Sequence, residues 1–141
     1  MSRGYRFFDH TADVGVAVRA ATLRGLFGSA SQALFELLCD PGTVRPRRRR
    51  RVAVRGSSAE DLLVRWLSEI VYLRETRRWV FSSCALERVD RTACTAVGEV
   101  RGEPFDPRRH RAGREVKAVT YHQIGLSRRR GMWRVRIVFD V

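Results

Sequence analysis

Apolar positions in this chain recur with two different periods, and the switches between them lay out the elements. Tyr5 to His10 alternates, and Val14, Val16 and Val18 alternate with small or charged residues, so both stretches predict strands. Leu23, Leu26, Phe27, Ala30, Leu34, Leu37 and Leu38 then fall at helical spacing behind Thr22, a suitable N-cap. Asp40-Pro41-Gly42 stops that helix, because proline cannot continue the hydrogen-bond ladder and glycine favours the turn. A short strand at Val52-Ala-Val54 follows. Ser57-Ser58-Ala-Glu60-Asp61 reads as a serine cap with acids at the positive helix end, and Leu62, Leu63, Trp66, Leu67, Ile70, Val71 and Leu73 predict a second amphipathic helix ending near Thr76. At that spacing Trp66 is a core residue rather than a stacking platform.

From Trp79 to Gly102 the period returns to two. Val80 to Val89, a polar turn at Asp90-Arg91 and Thr92 to Val100 predict an antiparallel hairpin, with Cys84 and Cys94 on its neighbouring strands. Residues 103–110 form a turn-rich link with a short helical turn after Asp106, and His110, set between arginines, reads as solvent-facing. Glu115 to Leu126 is a strand candidate, Arg128 to Gly131 a turn, and Trp133 to Phe139 the final strand. Two long helices, each apolar on one face, among many strands predict an α+β fold: a compact two-layer sandwich with the helices on a mostly antiparallel or mixed sheet.

At 141 residues the chain fits one domain, 1–141, and can bury a sizeable core without disulfides. No apolar run reaches the roughly 18 residues of a membrane span, and the first residues lack the apolar core of a secretory signal. Cys39, Cys84 and Cys94 form no closely spaced pair, which suits small buried side chains in a reducing compartment. A cytoplasmic protein without membrane contact is expected.

Composition adds a formal charge of +13, carried by arginines with Lys117 as the single lysine. That skew also follows from a GC-rich coding sequence, so the total charge by itself assigns no function. The run Arg47 to Arg51 has two readings: charge-assisted contacts to phosphates or an acidic partner, or a solvated loop leading into an edge strand, where charge discourages edge-to-edge pairing. No aromatics interleave with the run to stack on bases, which favours the edge strand. The chain has no Walker A loop, dinucleotide fingerprint, nucleophile elbow or paired cysteine motif, which argues against an independent enzyme.

The candidate chemistry lies where chain ends meet. The join after the first strand carries Asp9, His10 and Asp13, and the last strand closes with Asp140 and the α-carboxylate of Val141. Hard divalent cations prefer several oxygen ligands, and Asp13, Asp140 and the Val141 carboxylate would supply them if the two strand ends converge. The alternative is that these acids are solvated turn formers. His122 is compatible with a metal ligand, a general acid or a hydrogen-bonded strand histidine.

Phe8-Asp-His-Thr-Ala-Asp-Val-Gly15, the helix opening at Thr22-Leu23, Val116-Lys-Ala-Val-Thr-Tyr-His122 and the closing Trp133-Arg-Val-Arg-Ile-Val-Phe-Asp-Val141 closely resemble the archease family, in the family's order and from near residue 5 to the end. The resemblance implies a compact two-layer α/β fold and an activator of the RtcB-type RNA ligase. That ligase joins a 2′,3′-cyclic phosphate or 3′-phosphate RNA end to a 5′-hydroxyl in tRNA splicing and RNA repair, after guanylylation on a histidine with GTP and divalent metal. It further implies a metal site at Asp13, Asp140 and the main-chain oxygens of Val141, with calcium expected first and manganese or magnesium as alternatives. Asp9, His10 and His122 remain open as additional ligands. RNA is then met indirectly, through the ligase. The arginine enrichment leaves a direct RNA contact open, and with it a second reading: a basic RNA-binding or chaperone-like module that modulates a tRNA-processing or tRNA-modifying enzyme.

Overall fold

The computed structural model describes residues 4–10, 13–121 and 124–141, without the side chains of Asp9 and His10. Among the described residues eight strands and two α-helices follow in the order β1 (Tyr5–His10), β2 (Asp13–Ala20), α1 (Leu23–Leu38), β3 (Arg48–Arg55), α2 (Ala59–Arg77), β4 (Trp79–Asp90), β5 (Thr95–Pro104), β6 (Ala118–Thr120), β7 (Ser127–Arg129) and β8 (Met132–Asp140), with a short 3-10 turn at Pro41–Thr43 after α1. The α+β class and the helices-on-antiparallel-sheet layering are as the sequence predicts. The strands, however, divide between two sheets. One runs β1-β2-β8-β6 with β7 also on β8, the other β3-β5-β4, and every pairing is antiparallel.

Local chemistry fixes the helix ends. Gly25 donates its N–H to Thr22 Oγ1 at 3.0 Å at the start of α1, and Asp61 donates its N–H to Ser58 Oγ at 3.1 Å at the start of α2. Each cap satisfies a backbone donor that the first helical turn leaves without a partner. Helix α2 ends on Arg78 in the left-handed region, and its N–H closes the last turn onto the Leu73 carbonyl.

The apolar stripes of both helices meet one face of the sheets. Val16 and Val18 of β2 and Val135, Ile137 and Phe139 of β8 join Leu26, Phe27, Leu34 and Phe35 of α1 and Leu62, Leu63, Trp66 and Ile70 of α2 in one buried cluster. Trp66 is fully buried, as its spacing predicts, and its indole N–H donates to Ser31 Oγ at 2.8 Å. Ser31 in turn donates to the Phe27 carbonyl at 2.7 Å, so the polar handle of the largest core side chain is satisfied across the two helices.

Three details differ from the sequence pattern. Among the described residues of the segment 115–126, only the three-residue β6 is strand, and β7 forms a separate short hairpin with β8. That hairpin turns through Arg130 and Gly131, both at positive φ, the conformation a two-residue turn needs to match strand twist. Cys94 sits at φ 54 in the β4–β5 turn, whose strand resumes at Thr95, so it does not face Cys84 from a neighbouring strand. All three cysteines are free thiols. His110 is the third: it is buried, not solvent-facing, for reasons given below. Among the described residues no helix is long and apolar enough to cross a membrane.

Candidate functional site

The β2–β8 pairing brings the two ends of the chain together. Asp13, the first residue of β2, lies directly opposite Asp140, the last residue of β8, and Ala118 of β6 lies on the other side of Asp140. Directly opposed residues of an antiparallel pair project from the same face, so both carboxylates leave the sheet on one side. It is the side away from the helices, since Val14 and Phe139, one position inward, are the buried neighbours. Both aspartates are half-buried. The Asp140 carbonyl is held by the Lys117 N–H at 2.7 Å, which ties the end of β8 to the approach to β6. Val141 is half-buried and packs its side chain against the core.

The neighbouring row explains the glycine that follows the motif. Phe8 of β1 faces Gly15 of β2, and a Cβ at Gly15 would stand 2.2 Å from the Phe8 ring. Glycine therefore lets the ring lie on the strand. Arg136 of β8 covers the other side, its guanidinium carbon 4.1 Å from the ring centroid, a cation–π contact. This stack stands between the aspartate pair and the arginines farther along the sheet.

Two carboxylates side by side repel, and like charges directly opposite one another destabilise a sheet. A hard divalent cation resolves that conflict, and aspartate oxygens with adjacent main-chain oxygens are the donor chemistry it prefers. The residues thus fit such an ion. Among the described residues no three His, Cys, Asp or Glu side chains gather as a metal cluster. The His10 backbone pairs with Asp13 and the Asp9 backbone with Val14, while their side chains, and His122 altogether, lie outside the described residues.

Two other acidic centres are fully engaged in structure. Burial pushes the Glu103 carboxyl up, but the Arg109 guanidinium, the Arg45 N–H and His110 outweigh it and hold it at about 2. Arg109 Nη2 stands 2.5 Å from Glu103 Oε1, the Arg45 N–H donates to Oε2 at 2.7 Å, and His110 Nε2 lies 3.0 Å from Oε2. His110 Nδ1 accepts the Asp106 N–H at 2.9 Å, which assigns the proton on the ring to Nε2 as a donor to Glu103. The short turn after Asp106 is what folds this histidine inward. Asp61, beneath the α2 cap, accepts from Tyr121 OH, from Ser57 N–H at 2.8 Å and from Arg65 Nε at 2.9 Å, and these bonds, Tyr121 foremost, hold its carboxyl well below the usual range.

The arrangement defines a class: an α+β protein whose larger sheet ends in a carboxylate pair made by its first and last long strands. The chain belongs to the archease family, the profile of the Archease protein family matching residues 5–141. A protein archease from Methanopyrus kandleri is 37% identical over 134 residues, covering 94% of this chain and 96% of the relative. One from Sulfurisphaera tokodaii is 31% identical over 137 residues, covering 97% and 98%. The solution structure of Protein 1598 from Methanobacterium thermoautotrophicum superposes with a TM-score of 0.82 at 28% identity over 99% of this chain and 100% of that one. The crystal structure of a Thermotoga maritima archease, described as a possible chaperone, shares the fold with a TM-score of 0.65 at 20% identity, over 95% and 94%.

Proposed function

We propose that this protein is a metal-binding activator of an RtcB-type RNA ligase, a protein cofactor rather than an enzyme, which promotes guanylylation and multiple turnover of the ligase in tRNA splicing and RNA repair. Membership of the archease family supports the reading, and the observation that carries it is the in-register Asp13–Asp140 pair. Asp13, Asp140 and the main-chain oxygens of Val141 would hold the ion, calcium first and manganese or magnesium as alternatives. Calcium takes about six to eight oxygens, so two aspartates and one main-chain group leave positions for water or for phosphate oxygens from outside the chain. When bound, such an ion neutralises phosphate charge and orients the oxygens it shares. The chain's own part is to fix the two carboxylates on a rigid sheet end, where the Lys117–Asp140 bond prevents fraying.

The test is GTP-dependent guanylylation of the cognate ligase under multiple-turnover conditions, with wild-type protein, Asp13→Ala and Asp140→Ala. Stimulation by the wild type and its loss in both variants is expected. Full stimulation by variants shown to bind no calcium would remove the metal from the reading, and no stimulation by the wild type would remove the ligase.

A further inference from the structure

The helix-free face of the larger sheet carries a second feature, at the end remote from the aspartates. Arg6 of β1, Ala17 of β2 and Arg136 of β8 stand in one cross-strand row, and Arg19 of β2 and Arg134 of β8 stand opposite one another in the next. With strands about 4.8 Å apart and rows about 7 Å apart, the four arginines rise from a patch of roughly 10 by 7 Å. They line a basin of about 920 Å³ floored by Ala17, with Gly125 and Ser127 also contributing. All four are exposed.

This patch combines close cross-strand register with a lack of counter-charge. Arg47, Arg49, Arg51, Arg65, Arg101, Arg108 and Arg109 each have a carboxylate within 4.0 Å. Among the described residues no carboxylate partners Arg6, Arg19, Arg134 or Arg136. Four guanidiniums held side by side on a rigid sheet repel one another, and an anion with several charges in a row would relieve this.

We propose that this basin binds the phosphodiester backbone of single-stranded nucleic acid. An acidic protein surface is the weaker fit. Protein interfaces gain affinity from aromatic or aliphatic anchors at their centre, whereas here the centre is a methyl group, and the exposed large apolar side chains, Tyr72 and Tyr121, line none of the basin. Tyr5 and Phe7, which also border the basin, pack against the hydrophobic core, with the Tyr5 hydroxyl donating to Glu36, and the Phe8 ring lies against Gly15 with the Arg136 guanidinium over it, so these rings are engaged within the fold rather than presented for stacking on bases. Binding is therefore to the backbone, independent of base sequence and steeply dependent on salt.

Fluorescence anisotropy of a short labelled oligouridylate, titrated with the isolated protein across a salt series, tests this without any ligase, so its outcome is separate from that of guanylylation. For single strands each phosphate contact contributes about 0.7 to the slope of log affinity against log salt, so four contacts predict about 2.8. Arg19→Gln with Arg134→Gln reduces the slope to about 1.4, whereas Arg49→Gln with Arg51→Gln leaves it unchanged. Arg6→Gln is the independent probe from the other row, and circular dichroism confirms the fold of each variant. A slope that does not change in the Arg19/Arg134 variant, or that falls equally in the Arg49/Arg51 variant, overturns the assignment. So does an absence of oligouridylate binding, including the case where polyglutamate binds and is lost with Arg19 and Arg134, which would assign the basin to an acidic protein partner.

Discussion

The two sheets carry similar charges and arrange them in opposite ways. In the smaller sheet and its flanking loops, five arginines meet carboxylates: Arg51 with Glu87, Arg101 and Arg49 with Glu99, Arg109 and Arg47 with Glu103. In the larger sheet they are segregated on one face, with Arg6, Arg19, Arg134 and Arg136 toward one end and Asp13 facing Asp140 at the other. Matched charges stabilise a fold or at least leave it unharmed, while segregated like charges cost stability and are tolerated where something else supplies the opposite sign. Charge arrangement, more than charge content, is therefore what the two proposed binding sites on the larger sheet rest on.

The strongest way to break this contrast is at Glu103. Its side chain is buried, and replacing it by glutamine leaves Arg109 and the Arg45 N–H with a weakened partner. A loss of about 3 kcal/mol is expected, at the lower end for breaking a buried pair because Arg109 remains partly accessible to water. Chemical denaturation checks it. The acid limb offers a second readout of the same residue. The folded carboxyl, at about 2, lies below its ordinary 4.5, so the folded state binds fewer protons. Its stabilisation is complete above about pH 4.5 and is lost as pH falls toward 2. Glu103→Gln flattens the stability profile in that window, leaving the part due to Asp61. A variant that unfolds in acid like the wild type would mean that Glu103 is not a structural charge.

Asp140→Asn probes the opposite arrangement. Without divalent metal, removing one of two facing carboxylates is expected to leave stability unchanged or to raise it by a few tenths of a kcal/mol. With calcium at about a hundred times its dissociation constant, wild-type protein gains about 2.7 kcal/mol and the variant gains none. Paired thermal melts in chelator and in calcium measure both. A variant that still gains from calcium would move the ion away from the β2–β8 end.

These contrasts show what could be read along the chain. Helix positions, their caps and the core role of Trp66 are local properties, set by spacing and by one side chain beside one backbone N–H, and so were legible. The carboxylates at the two chain ends were visible because Asp13 opens one alternating strand and Asp140 closes another, although only the pairing register places them face to face. The division into two sheets was hidden, since alternation reports burial and not neighbours. His110 was misread because its surroundings in sequence are arginines, while its partner Glu103 is reached only through a turn. The basin was missed for the same reason: its arginines are scattered from Arg6 to Arg136 and become a cluster through cross-strand register, whereas the conspicuous run at 47–51 leads into the edge strand β3, and its odd-numbered arginines find carboxylates.

The smallest effect is also the cleanest comparison, because one kind of substitution should change sign between the sheets. Arg49→Gln with Arg51→Gln removes exposed ion pairs to Glu99 and Glu87, each worth at most about 1 kcal/mol and typically a few tenths. The double variant should therefore be slightly less stable. Arg19→Gln with Arg134→Gln removes two like charges that stand directly opposite across β2 and β8, and should be slightly more stable, by a few tenths of a kcal/mol. Both shifts are electrostatic between exposed groups and should fade together as salt shortens the screening length from about 10 Å at 0.1 M to about 3 Å at 1 M. Denaturant midpoints at low and high salt resolve the signs. If both variants lose stability equally at low salt, the outer-face arginines are engaged in structure, and the larger sheet's segregated charge would no longer distinguish it from the smaller.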